Sequence, residues 1–280
     1  MAAQAFDSTA HLYRLDARKM SWWRRLFSGR GEARRDGDPE PFRQAWLQTL
    51  YRGLPIYRRF PRDQRPVLHR LIQEFLDAKT FWGAEDLAVT DEMKVLIAAQ
   101  ACLMVVNLPR LGLYPKTKEI IVYPSEFGES VEAIGPDGRV YHIDDARIGE
   151  TWHRGPVLLA WDGVSRTTRS GDDGHNTVFH EFAHALDFLD GAADGVPPLE
   201  SREQHGEWLH VLRREYERLV SMVRRGRRSF IDPYGAEDPA EFFAVATEQF
   251  FEQPRRFHRA HRALYGQLQR FYGQDPAAWR

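Results

Sequence analysis

The chain reads as a mainly helical α+β domain with a small sheet placed beside one chemically special helix. Three observations lead there. Apolar residues recur at helical spacing through most of residues 41–106 and 203–272. Between them lie short β-branched runs bounded by Gly and Pro, notably 119–123 and 157–161. The helix that follows carries His180-Glu181-Phe182-Ala183-His184, an H-E-x-x-H motif.

The chain has 280 residues, and residues 1–40 read as a poorly ordered segment ahead of a domain at 41–280. Gly29, Gly31, Gly37 and Pro39 are mixed there with many charges. Trp22 and Trp23 sit in a short aromatic and basic run, best read as packing back onto the domain. Phe42, Trp46, Leu47, Leu50 and Tyr51 mark a first helix, ended at Leu54-Pro55. Val67, Leu68, Leu71, Ile72, Phe75 and Leu76 stripe a second, and Gly83 breaks the run after Phe81 and Trp82. Asp91 is the expected N-cap of a third helix, 92–106, whose Ala98, Ala99 and Ala101 allow close packing. Cys102 reads as a small core residue, and His69 as structural or exposed.

Strands are expected at 119–123, at 139–143 after the Gly135–Gly138 turn, and at 157–161. Residues 165–174 read as a polar loop leading into the H-E-x-x-H helix. Beyond it come a Gly/Pro-rich loop, a helix at 203–225 and a Phe-rich helix begun by Asp238-Pro239. A last helix is expected over 254–272, with His258 and His261 on an exposed face.

A formal net charge of −1 gives no support for a nucleic-acid surface. One cysteine excludes an internal disulfide framework and a cysteine metal cluster. No apolar span is long enough to cross a bilayer, and charges interrupt the N-terminus where a signal core would lie. A soluble, cytoplasmic protein is the expectation.

The motif carries the chemistry. On a helix, His180 and His184 lie one turn apart on one face and can share a metal ion, with Glu181 beside it. Zinc favours such nitrogen donors, and a catalytic site keeps a position for water. Glu181 is then the general base for attack on a peptide carbonyl. A third protein ligand must come from elsewhere. Asp190 would need Gly where Asp187 stands, so that the chain could turn back. Glu248 lies two turns deeper than Glu241 on the same helix. Glu241, in the first turn of the Phe-rich helix, is favoured. Tyr234, in the loop before it, could donate to a developing oxyanion.

Taken together, residues 180–187, 155–161, 238–245 and 271–276 resemble the Mlc titration factor A family of zinc peptidases. The resemblance covers about 41–276. It implies a zincin-like core similar to the catalytic domain of anthrax lethal factor, where a Tyr likewise precedes the metal-binding Glu by seven residues. It further implies one zinc ion on His180, His184 and Glu241, with Glu181 as base and Tyr234 as oxyanion donor. Aminopeptidase-like activity on small peptides in the cytoplasm, and an Mlc-like transcriptional repressor as partner, are also implied.

Overall fold

The computed structural model describes residues 41–125, 131–134, 140–143, 155–170 and 174–279. The segment 1–40, with Trp22 and Trp23, and the expected turn at 135–138 lie outside the described residues.

Helices α1 (Gln44–Gly53), α2 (Pro55–Arg59) and α3 (Arg65–Ala78) open the described chain. Pro55 stops α1 and starts α2, because a proline fits a helix's first turn but not its interior. Strand β1 (Thr80–Gly83) follows where the sequence suggested only the ragged end of a helix. Four residues are too few to display a period, so the pairing partner decides. Helix α4 (Asp91–Val105) is capped by the Thr90 hydroxyl, which accepts the Met93 N–H. The expected cap, Asp91, is instead the first helical residue, where its charge faces the positive helix end.

Strand β2 (Glu119–Tyr123) lies between β1 and β5 (Val157–Ala160), parallel to both. Ile120 to Tyr123 are all buried, as expected of a parallel strand covered on both faces. Strands β3 (Val131–Ile134) and β4 (Val140–Ile143) form a separate antiparallel pair. Trp161, expected to extend β5, begins helix α5 (Trp161–Ser170), which replaces much of the expected polar loop. Its sparse apolar content hides the helical period.

The H-E-x-x-H helix is α6 (Thr177–Asp187), capped by Asn176 Oδ1 on the Phe179 N–H at 3.0 Å. Helix α7 (Arg202–Arg224) is capped by Ser201, and α8 (Pro239–Glu252) by Asp238, as the sequence indicates for α8. The expected last helix is two, α9 (Pro254–Ala260) and α10 (Arg262–Tyr272), broken at His261.

Helices α4 and α8 are buried almost all round and form the middle of the molecule. The metal-motif helix α6 packs against both, and against β5. Its apolar face, Val178, Phe179, Phe182, Ala183 and Leu186, is fully buried. Phe182 meets Phe75 and Tyr114 at ring separations of 5.8 and 4.6 Å, and Phe179 meets Phe251 of α8 at 4.9 Å. Burying five such side chains contributes roughly 10 kcal/mol of gross apolar stabilisation before chain entropy is set against it. That anchorage fixes the rotation of α6 and turns the face bearing His180 and His184 toward the acids of α8. Among the described residues, no helix is long and apolar enough to cross a membrane.

Candidate metal centre

Two glycines set the spacing between α6 and α8. Gly174 (φ +92°) lies against the Gln249 side chain, and Gly195 (φ +77°) lies so close to the Pro239 carbonyl that a Cβ would collide with it. The loops at both ends of α6 are thereby pressed onto α8. Gly195 is held further by Asp187 Oδ2, which accepts its N–H at 2.8 Å, and by Trp208 Nε1, which donates to its carbonyl at 2.9 Å. On α8, the Asp238 carboxylate accepts the Glu241 N–H at 2.9 Å and fixes Glu241 in the first turn. The side chains of α6 and α8 then meet across a fixed gap.

What meets there is a cluster of bases. His180 Nε2 is 3.2 Å from His184 Nε2 and 3.0 Å from Glu241 Oε2. His184 Nε2 is 3.4 Å from Glu241 Oε1. The donor atoms of these three residues lie within 4.8 Å of one another. Glu241 Oε2 is buried and, despite its approach to His180, accepts no directed hydrogen bond. Asp190, weighed from sequence as a ligand, is not in the cluster.

Glu248, weighed as another ligand, sits behind His180. Its Oε1 is 2.8 Å from His180 Nδ1, and its Oε2 accepts the Asn176 N–H at 2.5 Å. A carboxylate on Nδ1 fixes the proton there and turns the Nε2 lone pair toward the cluster. Asn176 continues the network: its Nδ2 donates to Gln100 Oε1 at 2.8 Å and Glu252 Oε1 at 2.7 Å. The sequence reading missed this support. Its signal was present, since an acid in so apolar a helix must be buried and therefore partnered.

The electrostatics agree. Burial works against a charge on His180, but the carboxylates of Glu241 and Glu248 outweigh it and hold the imidazole well above its ordinary value. Burial would raise Glu241, yet the two histidines hold its carboxyl far below the usual carboxylate range. Burial pushes the Glu181 carboxyl up, against the pull of His180 and His184. Burial, then the charge of Glu241, pushes the Tyr234 phenol further above 10, so it stays protonated at neutral pH. The Tyr234 ring lies 6.0 Å from that of His180 and is 48% exposed, at the mouth of the cluster.

A divalent metal fits this donor set. Three electron-pair donors face one another with no lysine or arginine ion-paired to them among the described residues. Donors placed tetrahedrally at about 2.0–2.2 Å from zinc stand roughly 3.3–3.6 Å apart. The separations of 3.0, 3.2 and 3.4 Å match that scale after slight contraction.

A helix-borne His-x-x-x-His pair with a carboxylate from a second helix beside it is a donor set that could hold a metal ion. The chain belongs to the family described as glucose-regulated metallo-peptidase M90, whose model matches residues 30–273. An uncharacterized protein of Synechocystis is 40% identical, the match covering 84% of this chain and 86% of that one. Mlc titration factor A of Cronobacter sakazakii is 32% identical, over 82% of this chain and 86% of its own. Mlc titration factor A of Klebsiella pneumoniae is 32% identical, over 84% and 88%.

Proposed function

We propose that the chain is a zinc-dependent peptidase with a zincin-like core. His180, His184 and Glu241 hold the ion, Glu181 is the general base and Tyr234 the oxyanion donor. The observation that carries this reading is the convergence of three bases from two helices, with an additional carboxylate, Glu248, orienting one of them. When bound, zinc supplies Lewis acidity toward a carbonyl oxygen and brings the ionisation of water to about pH 7.

The remaining chemistry belongs to the chain. Glu181, next to His180 on the polar face of α6, accepts a proton from the attacking water and delivers it to the departing amine. Its raised pKa suits a group that must hold and then release that proton. Tyr234 donates its phenolic O–H to the oxygen of the tetrahedral carbon. Glu248 keeps His180 in one tautomer. Among the described residues β5 is an end strand of the order β1-β2-β5, and an extended peptide substrate would add there by main-chain hydrogen bonding. The family resemblance favours an aminopeptidase-like action on small peptides in the cytoplasm.

The test compares wild type with Glu181→Gln for metal content and peptidase rate. Equal zinc and a large loss of rate support the reading; equal rates in the two would remove Glu181 as the base.

A second reading comes from the relatives named Mlc titration factor A: a regulator that sequesters an Mlc-like repressor, with zinc holding the fold. Glu181 beside the histidines speaks for catalysis, because a purely structural ion has no use for it. A pull-down of such a repressor with the Glu181→Gln variant separates the roles. Capture with no peptidase activity in wild type would favour the regulator alone.

A further inference from the structure

A cavity of about 550 Å³ shares no residue with the base cluster. Arg58, Arg59, Arg62 and Arg65 line it, with Phe60 and Trp279. The arginines come from the C-terminal end of α2, the turn after it and the first residue of α3. Among the described residues, none of the four has a carboxylate within ion-pair distance. Asp275 is the single acid on the wall, and it accepts a hydrogen bond from the Tyr265 hydroxyl at 2.6 Å.

The positive charge is concentrated at one helix end. Helix α3 has no acid in its first turn and no side-chain cap from Gln64, so its positive end is joined by further positive charge. Arg65 is held in place: it donates to the Tyr51 hydroxyl at 2.7 Å and to the Tyr57 and Arg58 carbonyls at 3.3 and 3.1 Å. Its Nε is buried and has no acceptor. The Arg65 guanidinium also lies over the rings of Tyr51 and Tyr57, so it is fixed in place, and the four guanidinium groups together make the cavity strongly positive. On the aromatic side, Phe60 meets Trp279 edge-on at 5.3 Å. Arg255 ties down that C-terminal segment through the Ala277 and Trp279 carbonyls, both at 3.2 Å.

We propose that this cavity binds a small organic phosphate. The guanidinium groups take the phosphoryl oxygens, for which their planar forks are matched. A phosphomonoester carries close to two negative charges at pH 7, which suits four cations and one acid better than a carboxylate does. The volume exceeds what a bare oxyanion fills and lies within the usual range for small-molecule sites of about 300–1,000 Å³. The organic part lies against Phe60 and Trp279.

Calorimetric titration of the full chain with phenyl phosphate tests this, with inorganic phosphate and benzoate titrated in parallel. Phenyl phosphate is expected to bind at least about tenfold more tightly than either, and less tightly as salt is raised. Arg58 and Arg62 are exposed, so the double variant Arg58→Ala/Arg62→Ala should keep its circular dichroism. It should also lose at least about tenfold in affinity. Arg225→Ala/Arg227→Ala, on exposed positions elsewhere, should bind as wild type does. No saturation by about 10 mM phenyl phosphate would overturn the site, as would equal loss in both double variants. Benzoate binding as tightly would overturn the phosphate assignment, and inorganic phosphate binding as tightly would overturn the aromatic half.

Discussion

Two histidine–glutamate pairs in this chain have the same contact distance and opposite surroundings. His180 Nδ1 meets Glu248 Oε1 at 2.8 Å, and His261 Nδ1 meets Glu215 Oε2 at 2.8 Å. Around Glu215 the charges close. Arg214 lies at 3.0 Å and Arg218 at 3.7 Å, so the acid is matched by its neighbours. Around His180 they do not close. Beyond the imidazole stand His184 and Glu241, and no basic side chain is ion-paired to the cluster among the described residues. A buried histidine with a carboxylate is therefore not in itself a metal site. The distinction lies in the neighbours: arginines balance Glu215, whereas His180 faces two further candidate donors, His184 and Glu241.

Breaking the comparison at the His180 side gives the largest effects. Glu181→Gln should lower kcat/KM for a peptide substrate by about 10²–10⁴-fold while zinc content is unchanged, measured by steady-state kinetics and metal analysis. Tyr234→Phe removes one donor from a half-exposed position. A loss of about 10²-fold, in kcat more than in KM, is expected from the same assay. Glu248→Gln leaves the three donors in place but loosens His180. Zinc affinity in competition with a chelator should weaken by about 10–100-fold.

At the Glu215 side the effect is on stability alone. Glu215→Gln should cost about 2 kcal/mol at pH 7 in urea unfolding, with zinc affinity unchanged. The hydrogen bond from His261, against burial and with help from Arg214, holds the folded Glu215 pKa below its ordinary 4.5. Its contribution is thus fully present above pH 4.5 and is lost as pH falls through the folded value. The gap between wild type and variant should shrink in acid and hold steady above pH 4.5.

The contrast also marks what the sequence could convey. His180, Glu181 and His184 were legible because ligand spacing and helical period coincide, so local pattern suffices. Glu241 was reachable because Asp238-Pro239 announces the start of its helix. Glu248 was visible as an acid in a Phe-rich helix, but its partner is 68 residues away and no local pattern names it. His261 was expected to be exposed among arginines. Instead it is buried at the break between α9 and α10, against an acid 46 residues earlier. Strand β1 and helix α5 were missed for a related reason. One is too short to show a period and the other too polar, so tertiary partners settle both.

The most direct test of the metal centre is anomalous X-ray scattering at the zinc absorption edge from crystals of the full chain. A single strong peak is expected about 2.0–2.2 Å from His180 Nε2, His184 Nε2 and the Glu241 carboxylate. Crystals grown with zinc that place the ion elsewhere, or leave Glu241 outside its coordination, would contradict the account.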